Sequence, residues 1–249
     1  MAKEFYDLRV RAITVLAITI ILFFVIAPFQ KLSVSMLEGY TDNPAMEKFM
    51  PKGFTERLKE WNFYINSQWY GKNFGQIIPI IGIIIAFPLF SREFESGTIA
   101  FLLVRRSRRD VFISKFLAGL LVTACVMFVG SSLPPLYSLI MSKNYDLDLY
   151  FKAMLQSVFA GVLWYNVGMF FSTIFRDQVK PILASLGILA LTTTVGFLKG
   201  LRFLNTYPYV LCSKVLESGT IDVPYTIGVV AVSIVLVVFS YGAFKNSEV

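Results

Sequence analysis

The amino-acid sequence predicts an all-α polytopic membrane protein, with six transmembrane helices, both termini cytoplasmic and an amphipathic helix in the first outer loop. Hydrophobic residues make up 56% of the chain, charged residues only 16%, and the mean hydropathy is +0.65. Soluble domains carry closer to ~25% charged residues. The missing charge is concentrated in long apolar runs, and ~20 such residues suffice to cross a bilayer as a helix. Basic residues collect in the connections assigned to one side, which sets the orientation.

The whole chain, residues 1–249, is expected to form a single transmembrane domain. The first span falls at 12–29. Glu4 and Asp7 ahead of it, with Pro28 directly after Ala27, argue for an uncleaved anchor rather than a signal peptide. In the outer loop at 30–73, Phe54, Leu58, Trp61, Ile65 and Trp69 recur at helical spacing, with Glu56, Arg57, Lys59 and Glu60 elsewhere. Such a stripe lies in the interface or caps the outer ends of the spans. Packing, rather than substrate binding, is its expected use. The second span covers 74–90, followed by a cytoplasmic segment at 91–110. The third, at 111–141, exceeds one crossing, and Pro134 and Pro135 predict a break near its far end. The fourth and fifth, at 151–175 and 179–198, form a tight hairpin joined through residues 176–180, with Pro181 suited to an opening helical turn. The sixth covers 223–244. Trp61, Trp69, Tyr70, Tyr145, Tyr207 and Tyr209 fall at the outer boundaries, as an aromatic belt would.

Several chemistries are disfavoured. The spans hold almost no ionisable group, and Lys115 and Lys152 lie near ends, where long stems can reach water. Ion- and proton-coupled carriers need buried titratable residues along the path. The interior instead offers Gln76, Thr123, Gln156, Asn166, Thr192, Thr193 and Thr194. There is no histidine, no paired aspartate and no Ser–His partnership, so no catalytic or metal site is expected. Cys125 in an apolar run and Cys212 in a loop form neither a disulfide framework nor a metal site. A GxxxxGK(S/T) phosphate loop is lacking, so energy for active transport must come from a partner. The net charge of +7 is assigned to topology and the lipid bilayer, with no nucleic acid partner.

The segment at 91–115 reads SREFESGTIAFLLVRRSRRDVFISK. Acidic residues open it and arginines close it, in keeping with the dipole of a short helix. A plain positive-inside loop would explain the arginines but does not require the acidic cluster followed by Gly97 and Thr98. Glu93-Phe94-Glu95-Ser96-Gly97-Thr98, then Leu102 and Leu103, Ser107 and Arg108, and Lys115 resemble the signature of type-2 ATP-binding-cassette (ABC) transporter permeases. The chain departs from that signature at Arg105, commonly proline, and at Phe94, commonly basic.

The resemblance implies a coupling helix seated on a separate ATP-hydrolysing subunit. Glu93, Glu95, Gly97, Thr98, Leu102, Leu103, Arg106, Arg108 and Lys115 would belong to that coupling element. It implies two ATPase copies holding ATP and Mg, no cofactor in this chain, a second permease chain (identical or related), location in the cell membrane, and export. It also implies an amphipathic helix at 3–11 ahead of the first span. The alternative reading is a non-transporting membrane scaffold or assembly factor with a permease-like fold.

Two further features stand apart from that signature. Gly168 with Ser172, and Gly196 with Gly200, place small residues one turn apart, which suits close helix contact within a chain or between copies. The pentapeptide Glu-Ser-Gly-Thr-Ile occurs at 95–99 and at 217–221, with unrelated flanks, and is read as coincidence. An uncharged interior suits lipids, peptides or drugs as cargo, although it is also what membrane helices ordinarily have.

Overall fold

The computed structural model describes residues 2–41 and 54–247, with side chains at 4–36 and 56–247. Helix α1 (Ala2–Ile26) runs unbroken from the N-terminal stretch into the apolar run, because no proline or glycine interrupts it before Pro28. The separate amphipathic helix at 3–11 is therefore the first part of α1. A 3₁₀ turn at Ala27–Phe29 follows, then α2 (Gln30–Thr41). The stripe of the next segment divides between α3 (Phe54–Lys59) and α4 (Trp61–Gln68), because Glu60 between them has extended backbone. Leu58, Ile65 and Trp69 are fully buried and Trp61 is half-buried, while the side chain of Phe54 lies outside the described residues. The stripe packs.

A π-helical turn, Trp69–Asn73, leads into α5 (Phe74–Ala86), and α6 (Pro88–Glu95) continues beyond Phe87. Then come α7 (Thr98–Arg105), the long α8 (Arg108–Ile140) and α9 (Leu147–Ile174). Helix α10 (Val179–Val195), a 3₁₀ turn (Lys199–Leu204), α11 (Tyr207–Val210), α12 (Ser213–Ser218) and α13 (Val223–Lys245) complete the order. Side chains cap the long helices at their starts: Ser107 on α8, Asp146 on α9 and Asp222 on α13 each accept a backbone N–H. Among the described residues, five helical stretches, at 4–36, 61–95, 108–140, 147–174 and 223–245, are long and apolar enough to cross a membrane. Helix α10 is apolar but only 17 residues long. The chain is a multi-pass membrane protein.

Helix α9 is the hub, with α5, α8 and α13 packed around it. Gly82 on α5 lies close against the backbone of α9. A Cβ there would lie 2.7 Å from the Tyr165 nitrogen and 2.8 Å from the Gly161 oxygen, both on the backbone of α9. Tyr165 crosses to α8 and donates its hydroxyl to the Phe116 carbonyl at 2.8 Å.

The expected break at Pro134 and Pro135 does not occur, since α8 stays helical through both. Each proline lacks the N–H that would bond to the carbonyl four residues earlier. Those two carbonyls are taken up from outside the helix. Trp69 donates its indole N–H to the Gly130 carbonyl at 2.9 Å, and Tyr70 its hydroxyl to the Ser131 carbonyl at 2.6 Å. Neighbouring side chains that re-satisfy freed backbone groups are what allow proline inside membrane helices. The same contacts correct the aromatic belt: Trp69, Tyr70 and Tyr209 are buried in the protein rather than placed at its surface.

Tyr70→Phe is expected to lower stability by about 1 kcal/mol, the scale of a single polar contact between membrane helices. In a Pro135→Ala background the cost should vanish, because alanine at that position restores the N–H that bonds to the Ser131 carbonyl. Thermal unfolding of the two single variants and the double variant in one detergent measures this. Equal losses from Tyr70→Phe in both backgrounds would refute the clasp.

The connection between α10 and α13 also departs from a surface loop. Gln156 lies nine residues into α9, about 13 Å along its axis at ~1.5 Å per residue. Its amide nitrogen donates to the Tyr209 carbonyl of α11, so α11 dips into the bundle. Cys212, expected in a loop, is fully buried with left-handed backbone, and burial pushes its thiol up to about 12.

Candidate functional site

The segment from α6 to the start of α8 carries most of the residues singled out in the sequence. Pro88 occupies the first turn of α6, where a missing N–H costs nothing. The free N–H groups of Phe90 and Ser91 donate to the hydroxyl oxygen of Ser172 on α9, at 3.0 and 3.1 Å. At the far end of α6, Gly97 adopts φ +68°, the left-handed conformation that glycine reaches without strain. A Cβ at that position would meet nothing within 4 Å, so the residue is needed for backbone shape and not for space.

Helix α7 then turns back on the bundle. Ile99 is buried, Leu102 and Leu103 are half-buried, and Phe101 and Val104 are 75% and 86% exposed. Arg106 is extended and solvent-facing, and Ser107 starts α8.

Beneath α7 sits a buried ionic network. The Lys115 ammonium on α8 donates to Glu4 Oε2 at 2.9 Å and to Glu93 Oε1 at 3.0 Å. Lys115 is only 3% exposed, so it does not reach for water as its position near a span end suggested. Burying one charge is unfavourable unless partners replace the lost hydration, and here two carboxylates do so. The second oxygen of Glu93 accepts a hydrogen bond from the Thr98 hydroxyl at the start of α7. One lysine thereby joins α1, α6, α7 and α8. A cleft of about 270 Å³ borders the network and is lined also by Asp7, Arg11 and Arg92.

Glu95 does not join it. Its exposed carboxylate accepts from the Gln178 amide at 2.6 Å, in the turn between α9 and α10. In that turn Asp177 accepts from the N–H groups of Val179 and Lys180, and the Lys180 side chain holds the Asp177 carboxyl below its usual range. Arg108 donates to the carbonyls of Phe244 and Ser247 at 3.0 and 2.9 Å, closing the C-terminal end of α13, where unpaired carbonyls attract a cation. These contacts bring the start of α1, the α6–α7 segment, the α9–α10 turn and the end of α13 together at one end of the bundle.

A family model described as ABC-2 family transporter protein matches residues 1–208. The chain belongs to that family. A comparison with curated proteins finds no match. This ABC-2 chain is thus the membrane-embedded, permease-type component of an ABC transporter, and the family's membrane domain is not catalytic. Among the described residues, no group of three or more His, Cys, Asp or Glu could hold a metal. The match spans the entire α6–α8 segment and ends within α11.

The small residues of the ABC-2 chain are largely used internally. A Cβ on Gly168 would lie 3.0 Å from that of Ala86 on α5, Ser172 serves α6, and Gly196 sits against Asn205. Gly200 has open space around it. Glu4 was not foreseen as a member of the network. The signal for it was Lys115 itself, since a lysine beyond the reach of water requires counter-charges, and few carboxylates lie near the helix ends on that side.

Proposed function

We propose that this chain is the permease subunit through which a separate ATP-hydrolysing subunit drives export, with α7 as the coupling helix. The observation that carries this reading is the exposed apolar pair Phe101 and Val104, on a short helix beside Arg105, Arg106 and Arg109. A helix that shows apolar side chains to water while its other face is tied to a buried ionic network suits docking. The network would pass a displacement of α7 to α1 and α8. In this reading Phe101 and Val104 touch the ATPase, Ile99, Leu102 and Leu103 seat α7, and Glu93, Thr98 and Lys115 position it.

Orientation follows from the arginine cluster, which favours the cytoplasm. With the start of α1 and the end of α13 at the same end of the bundle, the number of crossings is even, so α10 counts as the sixth. Both termini are then cytoplasmic, and α3 and α4 form an outer helical cap. The working unit would comprise two ATPase copies, which bind ATP and Mg, and two permease chains. The open face of α10 near Gly200 is available for contact between those chains.

Phe101→Asp with Val104→Asp should reduce ATPase copurification by roughly 30-fold or more, because loss of an apolar anchor at an interface centre costs about 2 kcal/mol or more. Glu56→Lys with Glu60→Lys, on the opposite cap, should leave copurification unchanged. Wild-type ATPase recovery with the aspartate pair, in protein that is properly inserted, would remove α7 from the interface.

A further inference from the structure

At the end of the bundle away from Lys115, a cleft of about 370 Å³ opens between α9, the dipping α11, α12 and the start of α13. That size is within the usual range for a small-ligand pocket. Its lining combines four charges, Arg202, Lys214, Glu217 and Asp222, which sum to zero. Gln156 also lines it. This side chain is 1% exposed, its nitrogen is committed to the Tyr209 carbonyl, and its oxygen, Oε1, has no hydrogen-bond partner in the protein. A buried carbonyl oxygen left unpaired is costly unless a donor reaches it. Tyr209 and Tyr225 add aromatic faces, their ring centroids 5.0 Å apart.

We propose that this cleft binds a phosphoethanolamine headgroup, presented by a membrane phospholipid. Lys214 and Asp222 pair with each other at 3.5 Å, so Arg202 and Glu217, one charge of each sign, are the groups that suit a zwitterion over a simple anion or cation. Gln156 Oε1 requires a hydrogen-bond donor, which a primary ammonium supplies and a quaternary ammonium lacks. The carboxylate of Glu217 and the tyrosine rings complement the ammonium. Arg202, which is exposed, complements the phosphate. Phe203, which lines the cleft, and Val223 and Ile227 nearby on α13 are exposed apolar side chains, so acyl chains can lie alongside while the headgroup enters. The site is independent of α7 and of the direction of transport.

The full chain, released from nanodiscs containing equal phosphatidylethanolamine, phosphatidylcholine and phosphatidylglycerol, is examined by native mass spectrometry for retained lipid. Phosphatidylethanolamine should be retained preferentially. Gln156→Leu should weaken that retention by roughly tenfold, as loss of a hydrogen bond to a charged group does. Because Gln156 also holds α11, Glu217→Gln on the exposed face of α12 is the second variant, and it should reduce the preference without disturbing the fold. Equal retention of the three lipids, or an unchanged preference in Glu217→Gln, would overturn the site. Soluble glycerophosphoethanolamine is the separate arm: binding of it without any preference among the lipids would also overturn the lipid assignment, and would make the ligand a soluble zwitterion.

Discussion

Lys115→Met is expected to destabilise the chain by about 3–5 kcal/mol, the usual cost of breaking a buried ion pair by removing one partner. Methionine fills a volume close to that of the lysine stem, so the loss is one of charge and not of packing. Glu4 and Glu93 would be left facing each other without a cation, both in a largely water-free site. Replacing all three, as Glu4→Gln, Glu93→Gln and Lys115→Met together, should recover most of the loss, because a neutral set strands no charge. Thermal unfolding of the purified protein in one detergent, for wild type, single and triple variants, measures both effects. A Lys115→Met protein as stable as wild type, or a triple variant no better than the single, would show that the network does not hold α1, α6 and α8 together. The same reasoning makes Glu93 a poor probe of coupling. Reversing its charge attacks the fold at the network, whereas Glu95 and the α7 pair are exposed and can be changed without that confusion.

Gly82→Leu is the second large effect. The atoms that a Cβ would strike at 2.7 and 2.8 Å belong to the backbone of α9, which cannot swing aside as a side chain can. The two helices must separate, which loosens the hub against which α8 and α13 also pack. Overpacking of this kind costs about 1–3 kcal/mol, and contact with backbone on the central helix places Gly82→Leu at the upper end. Gly82→Ala should fall between wild type and leucine. Gly187→Ala is the control, because nothing lies within 4 Å of its Cβ and alanine favours the helix by about 1 kcal/mol. Expression yield and monodispersity on gel filtration, with thermal unfolding of what survives, give the order. Were Gly82→Leu as stable as Gly187→Ala, the tight α5–α9 crossing would be wrong.

The bilayer makes some features of a chain local, and those were legible. A crossing must be a long run without charge, so the long apolar helices found among the described residues could be read from composition along the chain. In sequence, the acidic residues and arginines of the segment at 91–115 look like the two ends of one short helix, but Gly97, at φ +68°, divides it, so Glu93 and Glu95 close α6 and Thr98 opens α7. The helical stripe of α3 and α4 was visible too, though not the extended Glu60 that divides it, because one residue's ψ leaves no periodic trace.

What tertiary structure alone decided are the polar pairings. Lys115 meets Glu4 across 111 positions, and Arg108 meets Phe244 across 136. Pro134 and Pro135 stay inside a helix because Trp69 and Tyr70, 61 positions before the Gly130 and Ser131 carbonyls, supply the donors the prolines lack. No periodicity or spacing encodes such partners. They follow from which helices touch and in which rotation, and in a membrane that choice is made by close packing at residues such as Gly82 rather than by apolarity, which every lipid-facing surface shares. The apolar runs determined that the chain enters the bilayer and roughly where. The buried donors and acceptors could find each other only after the helices had packed, because an unpaired polar group in a water-free interior has no other way to be satisfied.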